Sequence, residues 1–259
     1  MSVACNGLCW GYGRRPVLED VTFFVGKGEF CAVLGRNGSG KTTLLHCLCG
    51  LLQPDPGQVR LAGMDVAGAT RGQIARAVSL MAQEQADIFP FRVLDVVVMG
   101  RTPHLSPGQV PGPADYDLAM ASLAELRAES LAKRNFNRIS GGERQMVMLA
   151  RALTQNAPVM LLDEPTSHLD FNNQDRLLQR VHSLCHKHGI TVVAAVHDPN
   201  LAGRFSDQVV MMHRGRVLIQ GAADRVMTAE NLGRLYQTDI RQADIPDGPR
   251  VFVAINSPD

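Results

Sequence analysis

The stretch GRNGSGKTT at 35–43 leaves this chain least freedom in how it can fold. It fits G-x-x-x-x-G-K-[ST] and follows the apolar run FCAVL (30–34). The segment TTLLHCLCGLL (42–52) comes next and reads as a helix ending near Gly50, ahead of the breaker PDPG (54–57). Strand, glycine turn and helix in that order predict an α/β core built on a parallel sheet. Gly38 and Gly40 let backbone N–H groups curl around phosphate oxygens where a Cβ would intrude. The helix N-terminus adds its partial positive charge at the same point. Asn37, Ser39 and Thr43 complete the expected nucleotide loop. Lys41 is expected to reach the β- and γ-phosphates of ATP, and the Thr42 hydroxyl to ligate Mg2+.

Further strands are expected at 159–162, 191–196, 208–212 and 216–219, and a helix over 172–188 carries Leu177, Leu178, Val181, Leu184 and Cys185 on one face. Gly189 then stands as an αL cap. Pro103, Pro107, Pro111 and Pro113 make 101–114 a loop, and residues 115–132 show helical spacing through Tyr116, Ala119, Met120, Leu123, Leu126 and Leu131. The run VMLLDEP (159–165) delivers two carboxylates at a strand end. Asp163 is placed to hold Mg2+ and Glu164 to polarise a water as general base. The segment SGGERQ (140–145) opens another helix, with Ser140 and Glu143 in capping-box relation. Adjacent glycines are costly in a helix unless something must come close, so Gly141 and Gly142 suggest a second anion site. One ATP needs one such site, and the surplus points to two chains sharing nucleotides.

Composition narrows the classes. With 26 Lys+Arg against 25 Asp+Glu the net charge is +1, which gives no support to nucleic-acid binding. No apolar run exceeds five residues and the first twenty residues lack a secretory signal, so a cytosolic chain without a membrane span is expected. The six cysteines show no CxxC pair and are expected as small buried hydrophobes. His182 and His186 are four apart on the helix, but with no carboxylate in sequence reach they are expected, with His188, to be solvated. A β-like run at 251–255 could pair with a sheet edge.

Together these motifs resemble the ATP-binding subunits of ABC transporters, nearly end to end. The resemblance implies that Tyr12 stacks on adenine, that Gln83 senses Mg2+ and the membrane subunit, and that Asp170 in SHLD crosses a dimer interface. It also makes His197 the switch histidine near the γ-phosphate, and Ser140, Gly141, Gly142 and Glu143 the signature that contacts ATP in trans from the partner chain. Ile139 and Glu143 stand where Leu and Gln are commoner. The implied fold is a P-loop NTPase core with a parallel sheet, an N-terminal antiparallel β part and an inserted helical subdomain. Residues 1–84 and 157–225 would form the core, 85–156 the helical subdomain and 226–259 a C-terminal extension.

GRTPHL (100–105), VVVM before it, LAKRNF (131–136) and TSHLDFNNQ (166–174) are similar to the iron-chelate, haem and cobalamin importer ATPases. Molybdate importers look similar too. The resemblance implies a homodimer of ATPases, peripheral on the cytoplasmic face of the plasma membrane, beneath permease subunits fed by a periplasmic binding protein. Residues 84–104 would receive the permease's coupling helix. A non-transport ATPase of the same fold and a nucleotide-gated module without turnover stand as alternatives.

Overall fold

Buried Val21, Phe23 and Val25 alternate with exposed Asp20, Thr22 and Phe24, the pattern of a half-covered strand, and in the computed structural model the N-terminal residues form the ribbon β1 (Val3–Tyr12) and β2 (Arg15–Val25). The structure describes residues 2–83, 90–167, 169–246 and 248–255. After β3 (Phe30–Leu34) and α1 (Lys41–Leu48), strands β4 (Val59–Leu61) and β5 (Met64–Asp65) complete an antiparallel sheet ordered β2-β1-β4-β5. Helix α2 (Arg71–Ala77), closed at its start by a Thr70–Gln73 capping box, leads into β6 (Val78–Met81).

A helical lobe follows: α3 (Val93–Val98), a 3-10 segment (Met99–His104), α4 (Pro113–Glu125) and α5 (Gly141–Thr154). Val93, Val96, Val97, Ala119, Leu123, Phe136, Val147 and Leu149 are buried within it. Gly100 is where the 3-10 segment meets α5: a Cβ there would lie 2.3 Å from the Arg151 carbonyl oxygen. Arg101 bonds Asp115 at 3.0 Å and the Thr154 carbonyl at 3.3 Å, tying the segment to both helices.

The chain then returns through β7 (Val159–Asp163), α6 (Phe171–His188), β8 (Thr191–Val196), α7 (Pro199–Phe205), β9 (Gln208–His213) and β10 (Arg216–Ala222). The central sheet runs β10-β9-β3-β8-β7-β6, parallel except for the β9–β10 hairpin. Its strands read as unbroken apolar runs because both faces are covered. Ala32, Leu34, Met160, Leu162 and Ala194 face α6, α7 and the lobe, whereas Val33, Leu161, Val193 and Val210 face α1 and the antiparallel sheet. Each Val, Leu or Met side chain so removed from water contributes about 1.5–3 kcal/mol. Helices α8 (Ala223–Val226) and α9 (Ala229–Tyr236) and the hairpin β11 (Asp239–Asp244) with β12 (Arg250–Ile255) follow β10. Among the described residues no helix is long and apolar enough to cross a membrane.

Several expectations change at their edges. The helix expected over 115–132 spans Pro113–Glu125, because Arg127 turns left-handed (φ 56°) and the chain continues as a short 3-10 turn at Glu129–Leu131. Helix α1 ends at Leu48 with Cys49 as its cap and Gly50 left-handed (φ 67°) just beyond, as expected of a helix that stops near Gly50. Residues 251–255 pair with β11 in their own hairpin, not with a sheet edge. Gly189 caps α6 in the αL conformation (φ 65°), as its position predicts. Cys5, Cys31, Cys47 and Cys185 are buried, but Cys49 is half-buried and Cys9 is exposed, where its sulfur accepts the Asp20 N–H at 3.3 Å. Burial pushes the Cys5, Cys47 and Cys185 thiols up to about 12.

Candidate nucleotide site

Four adjacent parallel strands, β3, β8, β7 and β6, end on the same edge of the central sheet. The segment after each brings one part of the candidate site: the glycine loop after β3, His197 after β8, Asp163 and Glu164 at the end of β7, and Gln83 after β6. Ligands of open α/β sheets bind at this carboxyl edge. The sites converge because of strand order, which is why residues 35–43, 83, 163–164 and 197 meet despite their separation.

The loop needs its glycines where φ is positive: Gly38 at 77° and Gly40 at 101°. Gly40 ends the loop and Lys41 begins α1, so the first N–H groups of that helix face the loop. Lys41 is buried and donates to the Gly35 carbonyl at 2.8 Å. Burial lowers its pKa, while the Glu164 and Asp163 charges oppose that shift. Asn37, Gly38, Gly40, Lys41, Thr42, Thr43, Gln83 and Glu164 line a cleft of about 310 Å³, joined by Val17 of β2. Ser39 sits in the same loop, buried, with its hydroxyl oxygen unpartnered.

Glu164 is held on both sides. Its Oε1 lies 2.5 Å from His197 Nε2, and its Oε2 accepts from Gln83 Nε2 at 2.6 Å. Its backbone is left-handed (φ 50°), a conformation that costs a non-glycine residue about 1–2 kcal/mol and aims the side chain at the loop. Asp163, by contrast, is buried, and desolvation raises its pKa. The Thr42 hydroxyl, donating to Asp163 Oδ1 at 3.2 Å, partly offsets that shift. A hydroxyl bonded to a desolvated carboxylate supplies hard oxygens of the kind that fit Mg2+, and the Gln83 side chain lines the same cleft as Thr42.

The signature residues lie in a second group. Ser140 caps α5: its Oγ accepts from Glu143 N at 3.3 Å, and Glu143 Oε2 accepts from Ser140 N at 2.8 Å. Glu143 also meets Arg134 at 3.5 Å, and its own carboxyl is held low by the Ser140 hydrogen bonds. Gly141 has open space where a Cβ would stand, and Gly142 packs against the Asn173 side chain. Asp170 caps α6 and grips Asn173, accepting from its N at 2.8 Å and from its Nδ2 at 2.9 Å. Tyr12 belongs to neither group. It stands near the tip of the β1–β2 hairpin, 59% exposed and edge-on to Trp10 at 4.4 Å.

Three contributors were not anticipated. Asn173, the third residue after Asp170, links the Asp170 turn to Gly142; its place at N3 of a helix with an Asp cap was a readable signal. Tyr236 and Gln237 had none: the Tyr236 hydroxyl donates to the His197 carbonyl at 3.1 Å, and Gln237 Oε1 accepts from Arg36 at 3.0 Å. Residues 236–237 thus touch both the glycine loop and the strand end that carries His197.

A phosphate loop, a desolvated carboxylate and a clamped glutamate on one sheet edge define a P-loop nucleotide-hydrolysing cassette. The chain belongs to the ABC transporter family, whose pattern matches residues 18–167, and it is an ATPase of that family. It is 36% identical over 241 residues to the probable iron chelatin transport ATP-binding protein of Helicobacter pylori, covering 93% of this chain and 94% of that one. It is 42% identical over 241 residues to the cobalamin import ATP-binding protein of Halobacterium salinarum, covering 93% of this chain and 60% of that one. A solved inward-facing structure assigned to a metal-chelate type ABC transporter superposes with a TM-score of 0.87 at 31% identity, over 98% of both chains.

Proposed function

We propose that this chain is the ATP-hydrolysing subunit of an importer for a metal chelate, whether ferric siderophore, haem or cobalamin, acting as a homodimer on the cytoplasmic face of the plasma membrane. The observation that carries the hydrolytic part is Glu164 fixed between Gln83 and His197 beside the phosphate loop. The relatives named above support the importer part. Residues 1–84 and 157–225 serve as the nucleotide-binding core, 85–156 as the helical subdomain, and 226–259 as the extension.

In this reading Lys41 and the loop N–H groups hold the β- and γ-phosphates, and Tyr12 stacks on adenine. Mg2+, when bound by Thr42, Asp163 and Gln83, neutralises phosphate charge. Ser140, Gly141, Gly142 and Glu143 of the second copy close over the γ-phosphate, with Asp170 at the interface. The open space at Gly141 and the capped N-terminus of α5 support that anion contact. Closure excludes water from all but the attacking position. Glu164 then accepts a proton from that water, and His197 hydrogen-bonds the γ-phosphate, so the phosphoryl group leaves ADP in line. Permease contact is assigned to residues 84–104, of which 84–89 lie outside the described residues. The solute meets a binding protein and the permease, never this chain.

Uptake of labelled ferric siderophores, haem, cobalamin and molybdate tests this in cells with wild type or Glu164→Gln as the sole copy. Loss of one organic chelate is the expected result. Loss of molybdate alone would move the chain to oxyanion import, and no loss would overturn the importer reading.

A further inference from the structure

At the far end of the central sheet, opposite the nucleotide loop, the last turns of α6 meet the start of β3 and the residue preceding β9. Cys185, His186 and Asp207 come together there, with Sγ, an imidazole nitrogen and a carboxylate oxygen all within 4.8 Å of one another. The carboxylate that no sequence spacing revealed beside His186 is Asp207, twenty-one residues away. His186 Nδ1 lies 2.9 Å from the His182 carbonyl oxygen, an acceptor only, so Nδ1 carries a proton and Nε2 holds the lone pair of the neutral ring. That nitrogen faces Asp207 Oδ1 at 3.2 Å. Two electron-rich atoms at that distance need a cation between them, either a proton or a metal ion.

We propose that Cys185, His186 and Asp207 form a binding site for a transition-metal dication of the zinc class, separate from the nucleotide site. The spacing of Nε2 and Oδ1 suits two ligands on one tetrahedral ion, and the sulfur supplies a third, leaving a position for water. A carbonyl behind the ligating histidine is the usual outer support of such sites. Asp207 is steadied the same way, since its Oδ2 accepts from Phe30 N at 2.7 Å and leaves Oδ1 for the ion. Charge balances as well: one dication meets one carboxylate, one thiolate and a neutral imidazole. Burial keeps the Cys185 thiol protonated on its own, and it donates to the Gly28 carbonyl at 3.3 Å. The ion must displace that proton to solvent, and a thiolate ligand selects zinc over magnesium. Bound there, the ion would pin the C-terminal turn of α6 to β3 and β9.

Cobalt(II) is the probe, titrated into the reduced, chelator-treated full chain without nucleotide, followed by zinc competition. The expected result is a thiolate-to-cobalt charge-transfer band that saturates at one equivalent per chain, with zinc raising Tm. Cys185→Ser should abolish the band. His186→Ala, a partly exposed change that spares the fold, should weaken zinc binding at least a hundredfold, while His188→Ala stays within threefold. No band at one equivalent, or equal zinc affinity in His186→Ala and wild type, would overturn the site and establish a plain His–Asp ion pair.

Discussion

The proposed function gives Ser140 two separable duties, and a pair of substitutions sets them against each other. In the isolated chain it is the N-cap of α5, exchanging hydrogen bonds with Glu143 at 3.3 Å and 2.8 Å. Ser140→Ala removes the cap and costs about 1 kcal/mol, or about 2–4 °C in Tm for a chain of this size. Ser140→Asp keeps the cap, because Asp and Ser cap about equally well, so Tm should stay within about 1 °C. The effect on turnover runs the other way. If this residue meets a γ-phosphate on the second copy, alanine loses one hydrogen bond to a charged group, about 1.5–3 kcal/mol, or about ten- to 150-fold in rate. Aspartate instead sets a negative charge about 4 Å from a phosphate, which at an effective dielectric of about 20 costs about 4 kcal/mol, close to a thousandfold. Thermal melts and steady-state ATPase rates at saturating MgATP should therefore rank the variants in opposite orders. If the rates follow the melts, with Asp active and Ala impaired, Ser140 only caps a helix and the trans contact is refuted.

Two further outcomes follow from burial and close packing. The folded-state pKa of Asp163 is raised by desolvation, so this group stabilises the fold below its unfolded pKa and loses that contribution as pH rises through the folded one. Asp163→Asn should therefore raise Tm of the nucleotide-free chain at neutral pH, flatten its decline as pH rises above the unfolded carboxylate range, and abolish magnesium-dependent hydrolysis; melts from acid to neutral pH with parallel ATPase assays check all three. Gly100→Ala would drive a Cβ to 2.3 Å from the Arg151 carbonyl, and backbone is not free to retreat. A loss of about 1–3 kcal/mol is expected, seen as a lower urea midpoint with ATP affinity unchanged.

The parts readable from the sequence are those carried by local pattern. β3, the glycine loop and the start of α1 form one contiguous motif, and the capping boxes at Ser140 and the αL glycine at 189 depend on neighbours a few positions away. The end of α4 was not readable, because Leu126 and Leu131 continue the helical spacing while Arg127, neither Gly nor Asn, turns left-handed. Meetings set by strand order were equally silent. His186 beside Asp207, Tyr236 beneath His197, and Gln237 on Arg36 depend on which strands neighbour β3, and no short window of sequence records that. Gln83 lay between: unremarkable by itself, it gained meaning from its family position and then a physical partner in Glu164.

In the proposed mechanism Glu164 removes the proton from the attacking water inside a two-chain site. Glu164→Gln keeps the shape, retains a side chain for Gln83 and His197 to meet, and removes the basic oxygen. Single-turnover hydrolysis with light scattering in MgATP reads out both the chemical step and the dimer. A stable ATP-bound dimer is expected, with hydrolysis slowed about 100- to 10,000-fold, the range of a lost general base. Hydrolysis within threefold of wild type, or a chain that stays monomeric with MgATP bound, would contradict it.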